Sequence, residues 1–218
     1  MSTRESVIRT VCETKVIAIV RGVDSASSIR LARAMYEGGI RLIEFTFDMK
    51  DPDSWRKNAD TIAAVSEAMG ESLLVGAGTV CSRELCRLAA DAGAQFIISP
   101  DADLDVIRLT RQLDLVSIPG AFTPTEIKAA YNAGADFVKI FPASVVGPAY
   151  FKAVRAPLGH IPLLAVGGVN EKNTGDFIRA GACGVGVGGN LVNREWIAAG
   201  EFGKITASAA EYLRAAVI

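Results

Sequence analysis

The chain has 218 residues, half of them hydrophobic, which is enough for one sizeable core, and no second domain is needed over 1–218. Its 23 basic and 24 acidic residues leave a formal charge of −1 and are spread along the chain, which argues against a nucleic-acid surface or an anionic-membrane surface. A single histidine falls short of the two or three imidazoles that a zinc enzyme usually needs, so metal catalysis is not expected.

The opening "MSTRESVIRTVCETK" mixes Arg with Glu5 and Glu13 and has no apolar signal core, so it reads as a leading amphipathic helix. Eight short runs rich in β-branched or aromatic residues follow: "VIAIV", "LIEFTF", "LLVGAG", "FIISP", "LVSIPG", "FVKIFP", "LLAVGG" and "GVGVGG". Helical patterns lie between them, among them "SASSIRLARAMYEGG", "PDSWRKNADTIAAVSEAMG" and "TPTEIKAAYNAG". In the last, Thr123, Pro124 and Glu126 have the spacing of a capping box with proline at the first helical position. Gly39, Gly93, Gly134 and Gly181 recur shortly before every second strand, where a helix must end in the left-handed conformation.

Eight strands alternating with helices predict a single closed (β/α)8 TIM barrel with an extra N-terminal helix. An open doubly wound sheet is the competing topology. It would normally show a glycine-rich fingerprint after its first strand, and "VIAIVRGVDSA" has none. The apolar runs are short and broken by glycine, so none is read as a membrane span. The cysteines, Cys12, Cys81, Cys86 and Cys183, form no CxxC pair and are expected to be small buried hydrophobes in a reducing cytoplasm. His160 lies in the connection into the seventh strand, on the barrel face away from any chemistry.

In a barrel, alternate strand residues face inward, and catalytic groups come from the carboxyl ends of strands. On the sixth strand Phe137, Lys139 and Phe141 share a parity opposed to Val138 and Ile140, so Lys139 turns inward. On the second, Leu42, Glu44 and Thr46 oppose Ile43, Phe45 and Phe47, so Glu44 turns inward too. A lysine inside an apolar run marks an edge strand that it keeps from pairing, is paired in the core, or has its pKa lowered, and a lowered pKa would make it a nucleophile. A purely structural Lys139–Glu44 ion pair is the plain alternative.

Further polar groups end other strands: Arg21 after the first, Thr79 after the third and Ser99 in the fourth. Arg21 is a candidate for holding a carboxylate. "GAGT" could be a turn in which glycine admits a close neighbour. Gly167–Gly168 and Gly188–Gly189 follow the last two strands, where barrels commonly seat a phosphate. The longer loop "FDMKDPDSW" could reach over this mouth.

Together, "VIAIVRG", "IEFTF", "GAGTV", "PGAFTPTE", "VKIFPAS" and "AVGGVN" resemble the small class I aldolases acting on 2-keto-3-deoxy-6-phosphogluconate, its galactonate epimer and 4-hydroxy-2-oxoglutarate. The resemblance runs from about Lys15 to about Asn193. It implies a cytoplasmic homotrimer that needs neither metal nor organic cofactor. It places the Schiff-base lysine on Lys139 and the acid/base glutamate on Glu44. Pyruvate contacts fall on Arg21 and Thr79, and phosphate contacts on Gly167, Gly168, Gly188 and Gly189.

The implied partners are a small 2-keto acid substrate, pyruvate and an aldehyde product, glyceraldehyde 3-phosphate or glyoxylate. Two departures bear on the substrate. Asp48 stands where many gluconate-type members carry arginine, and Ala165–Val166 precede the first glycine pair where many carry threonine. The competing functions are a phosphosugar isomerase or epimerase on the same barrel and a non-catalytic barrel that binds an acidic metabolite.

Overall fold

The computed structural model describes residues 3–217. Its strands are β1 (Val16–Val20), β2 (Leu42–Thr46), β3 (Leu74–Gly78), β4 (Phe96–Ile98), β5 (Val116–Ile118), β6 (Gly120–Ala121), β7 (Val138–Ile140), β8 (Leu163–Val166) and β9 (Gly184–Val187). The helices are α1 (Thr3–Thr14), α2 (Ser25–Glu37), α3 (Trp55–Met69), α4 (Arg83–Asp91), α5 (Leu104–Gln112), α6 (Pro124–Asn132), α7 (Ala143–Leu158), α8 (Thr174–Arg179), α9 (Arg194–Ala198) and α10 (Phe202–Ala216). Strand order is β5-β4-β3-β2-β1-β9-β8-β7-β6, and every pairing is parallel.

The two ends of that order, β5 and β6, are halves of the fifth expected strand, parted at Pro119. Proline has no N–H to give a ladder, so the strand breaks there. Its carbonyl still accepts from Lys139 N at 2.8 Å, which carries the sheet across the break and closes a TIM-like α/β barrel.

Strand parity sorts the core into two shells. Ile17, Leu42, Leu74, Phe96, Phe137 and Leu164 belong to one buried cluster inside the barrel. Ile43, Phe45, Val138 and Ile140 belong to the other, between the barrel and its helices. Val7 and Val11 of α1 join the inner cluster, so this helix stoppers the amino-terminal end of the barrel. Arg4 of α1 and Arg111 of α5 both pair with Asp136, just before β7.

The helix signals read from sequence act as expected. Thr123 and Glu126 form the reciprocal capping box of α6. Gly39, Gly93, Gly134 and Gly181 have φ of 98°, 87°, 111° and 100°. The segment read as one helix from Pro52 opens with a 3-10 turn, Pro52–Ser54, before α3. His160 lies in the α7–β8 connection at the amino-terminal end, edge-on to Tyr131 at 5.6 Å. The expectation for the cysteines needs correcting. Cys86 is buried, but Cys12 is exposed on α1, and Cys81 in the β3–α4 loop and Cys183 just before β9 are half-buried.

Candidate active site

Lys139 and Glu44 enter the barrel from opposite walls. Counting β5 and β6 as one strand, three strands separate β7 from β2 in either direction. Both side chains are buried, at 7% and 2% exposure. They form neither a hydrogen bond nor an ion pair with each other, and Oε2 of Glu44 is buried without a hydrogen-bond partner. The Lys139 ammonium lies 4.8 Å from the centroid of the Phe141 ring.

This environment moves both groups toward neutrality. Burial pushes the Glu44 carboxyl up to about 7, against the pull of Lys139 and Arg21. Burial also lowers the Lys139 amine below the ordinary lysine range; Glu44 and Cys81 oppose that shift, and Arg21 adds to it. The result is a lysine whose neutral form is favoured by burial, facing a carboxyl that titrates near neutral pH.

Space for the carboxyl comes from "GAGT". Gly78 on β3 is where the Glu44 carboxyl rests: a Cβ at position 78 would overlap Oε2, lie 2.7 Å from Cδ, and lie 2.9 Å from Thr46 Cγ2. The close neighbour that glycine admits is therefore Glu44, which sequence alone did not identify. Thr79 follows, half-buried, with φ of 58°, a left-handed backbone that β-branched residues seldom adopt.

Arg21 leaves β1 at the mouth and donates through Nε to Thr46 Oγ1 at 3.2 Å. Its two terminal nitrogens remain available to a ligand. Ser99 is instead spent locally: its hydroxyl donates to the Asp101 carbonyl at 2.7 Å.

The two glycine pairs end neighbouring strands. β8 and β9 register Val166 with Gly186, which sets Gly168 beside Gly188 just past the sheet. Gly167 and Gly168 have φ of 92° and 72°, and Gly188 and Gly189 have no non-local atom closer than 3.8 Å to where a Cβ would stand. The backbone is open to a ligand at Gly188–Gly189, whereas a Cβ at Gly168 would overlap Ser144 Cβ and Oγ and one at Gly167 would lie 3.1 Å from the Phe141 ring.

Asp48 does not project freely over the mouth. Its Oδ1 accepts from Lys50 N at 2.9 Å and its carbonyl accepts from Trp55 Nε1 at 2.8 Å, so the loop after β2 folds on itself. Two residues with no motif in the sequence also reach this end, Asn58 from α3 and Arg194 from α9. No local pattern marked either one, because helices far apart in the chain bring them together.

The family model for KDPG and KHG aldolases matches residues 7–208. A probable 2-dehydro-3-deoxy-6-phosphogalactonate aldolase of Rhizobium meliloti is 38% identical over 180 residues, covering 82% of each chain. The 2-dehydro-3-deoxy-6-phosphogalactonate aldolase of Escherichia coli K12 is 36% identical over 176 residues, covering 80% of this chain and 83% of that one. Among solved structures, one described as native KDPGal superposes with a TM-score of 0.82 at 34% identity, covering 92% of this chain and 93% of the other.

Proposed function

Because the chain belongs to the KDPG and KHG aldolase family, and is thus a carbon–carbon lyase, we propose that it cleaves a 2-keto-4-hydroxy acid through an imine on Lys139. The observation that carries this reading is the buried, unpaired Lys139 amine with the Glu44 carboxyl facing it across the barrel. At an ordinary pKa of about 10.4, a lysine is neutral in only about one molecule in 2,500 at pH 7. Each unit of lowering raises that fraction about tenfold.

The neutral Nζ adds to the C2 ketone, and loss of water gives an iminium. Glu44, as the carboxylate, takes the C4 hydroxyl proton. The C3–C4 bonding pair flows into the iminium, an aldehyde departs, and an enamine of pyruvate remains. The proton on Glu44 is available for C3. Water then hydrolyses the restored iminium, freeing pyruvate and the Lys139 amine. Arg21 and Thr79 hold the pyruvate carboxylate, and the glycine pairs at 167–168 and 188–189 hold a phosphate on the far end.

The first substrate to test is 2-dehydro-3-deoxy-6-phosphogalactonate, the compound named for both relatives and consistent with Ala165–Val166 before the first glycine pair. Pyruvate release, coupled to lactate dehydrogenase, compares it with the gluconate epimer and 4-hydroxy-2-oxoglutarate. The galactonate acid should give the highest kcat/KM of the three. No pyruvate from any of them overturns the lyase reading, and a higher kcat/KM for another overturns the substrate.

A further inference from the structure

A cavity of about 530 Å³ lies between the β1–α2 and β2–α3 loops and continues from the catalytic mouth through Arg21 and Thr46. Its charges balance: Arg21, Lys57 and Arg194 face Asp24, Asp48 and Asp51. That balance disfavours a dianion as the main occupant, since three carboxylates repel it. It suits hydroxyl groups, which both donate and accept.

Two donors stand ready. Asn58 Nδ2 is buried in the wall without a hydrogen-bond partner, a costly arrangement unless something in the cavity accepts from it. Arg194 is held in place: its Nη2 donates to the Arg21 carbonyl at 3.3 Å. Gly22 makes room for it, because a Cβ there would lie 3.0 Å from the same nitrogen. Tethered by one nitrogen, the guanidinium keeps its other donors for a ligand. The acids are partly occupied already, since Asp24 caps α2 through Ser27 N and Asp48 accepts from Lys50 N.

We propose that this cavity receives the C5 hydroxyl of the substrate, with Arg194 and Asn58 as the residues that select it, while the C6 phosphate goes to the glycine pairs. The inference rests on the aldolase reading above and adds the specificity-determining residues. Glu44 and Thr46 lie on one face of β2, so the cavity begins beside the group that handles the C4 hydroxyl.

The test is aldol addition of pyruvate to aldehydes of equal length, glyceraldehyde and propanal, with glyceraldehyde 3-phosphate as a third arm. Arg194→Ala and Asn58→Ala should each lower the glyceraldehyde-over-propanal ratio of kcat/KM by about tenfold, mainly through KM. The two variants change different helices, so agreement between them separates recognition from a local folding defect. An unchanged ratio in both overturns the proposal. So does a loss confined to the ratio of phosphorylated to free glyceraldehyde, which would make the cavity a phosphate site. Absence of product with every aldehyde in the unmodified protein would overturn the aldolase reading itself.

Discussion

The Glu44 carboxyl lies directly over Gly78, in the volume that a side chain on β3 would otherwise fill. Gly78→Ala should therefore displace the proposed acid/base group without altering it. We expect kcat to fall about 100-fold, the scale set by loss of general acid/base positioning. Overpacking should cost about 1–3 kcal/mol of stability. Steady-state kinetics beside a thermal melt check both, and a variant with unimpaired turnover would mean that the carboxyl position is unimportant.

Lys139 offers the most direct test of covalent chemistry. Incubation with pyruvate and borohydride should add to the protein the mass of pyruvate less water plus two hydrogens, at the peptide containing Lys139. Lys139→Arg keeps the charge but has no amine that is neutral at working pH, so both the adduct and turnover should disappear. Persisting turnover would rule out the imine route.

The pKa of Glu44 predicts a pH profile. Proton removal from the C4 hydroxyl requires the carboxylate, so kcat/KM should fall as pH drops through about 7, and Glu44→Gln should lose that limb with most of its activity. The stability effect has the opposite sense. The unfolded carboxyl ionises near 4.5 and the folded one near 7, so the folded protein loses stability as pH rises through that window. Glu44→Gln removes this loss and should gain up to about 3 kcal/mol above pH 7 relative to pH 4. Urea titrations at the two pH values measure the gain, less whatever Lys139 loses with its neighbour.

Much of the site was legible because a parallel barrel enforces a period of two. Leu42, Glu44 and Thr46 could be assigned to the interior once Ile43 and Phe45 were assigned to the helices, and Lys139 followed from Val138 and Ile140 in the same way. What stayed hidden depends on contacts between distant segments. Gly78 looked like a turn until Glu44 of the adjacent strand was found against it. Pro119 divides a strand that composition alone read as continuous, and Arg194 meets Arg21 across 173 residues of chain. The amphipathic pattern of α1 was visible, but its role as the stopper depends on Val7 and Val11 meeting the barrel interior.

Asp136 is the fixed point of that stopper. Its side chain, 6% exposed, accepts from Arg4, from Arg111 at 3.3 Å, and from Ser117 N at 2.9 Å, joining α1, α5 and β5 at the amino-terminal end. Removing the carboxylate leaves two guanidinium groups and a backbone N–H without their acceptor. Fully buried pairs broken in this way cost about 3–5 kcal/mol, and partial exposure of the two arginines reduces the figure to about 2 kcal/mol. Asp136→Ala should therefore lower the urea midpoint, while kcat and KM measured on the folded fraction stay near their original values, because barrel chemistry belongs to the opposite face. A variant of undiminished stability but impaired kcat would place function at this end and contradict the division of labour between the two faces.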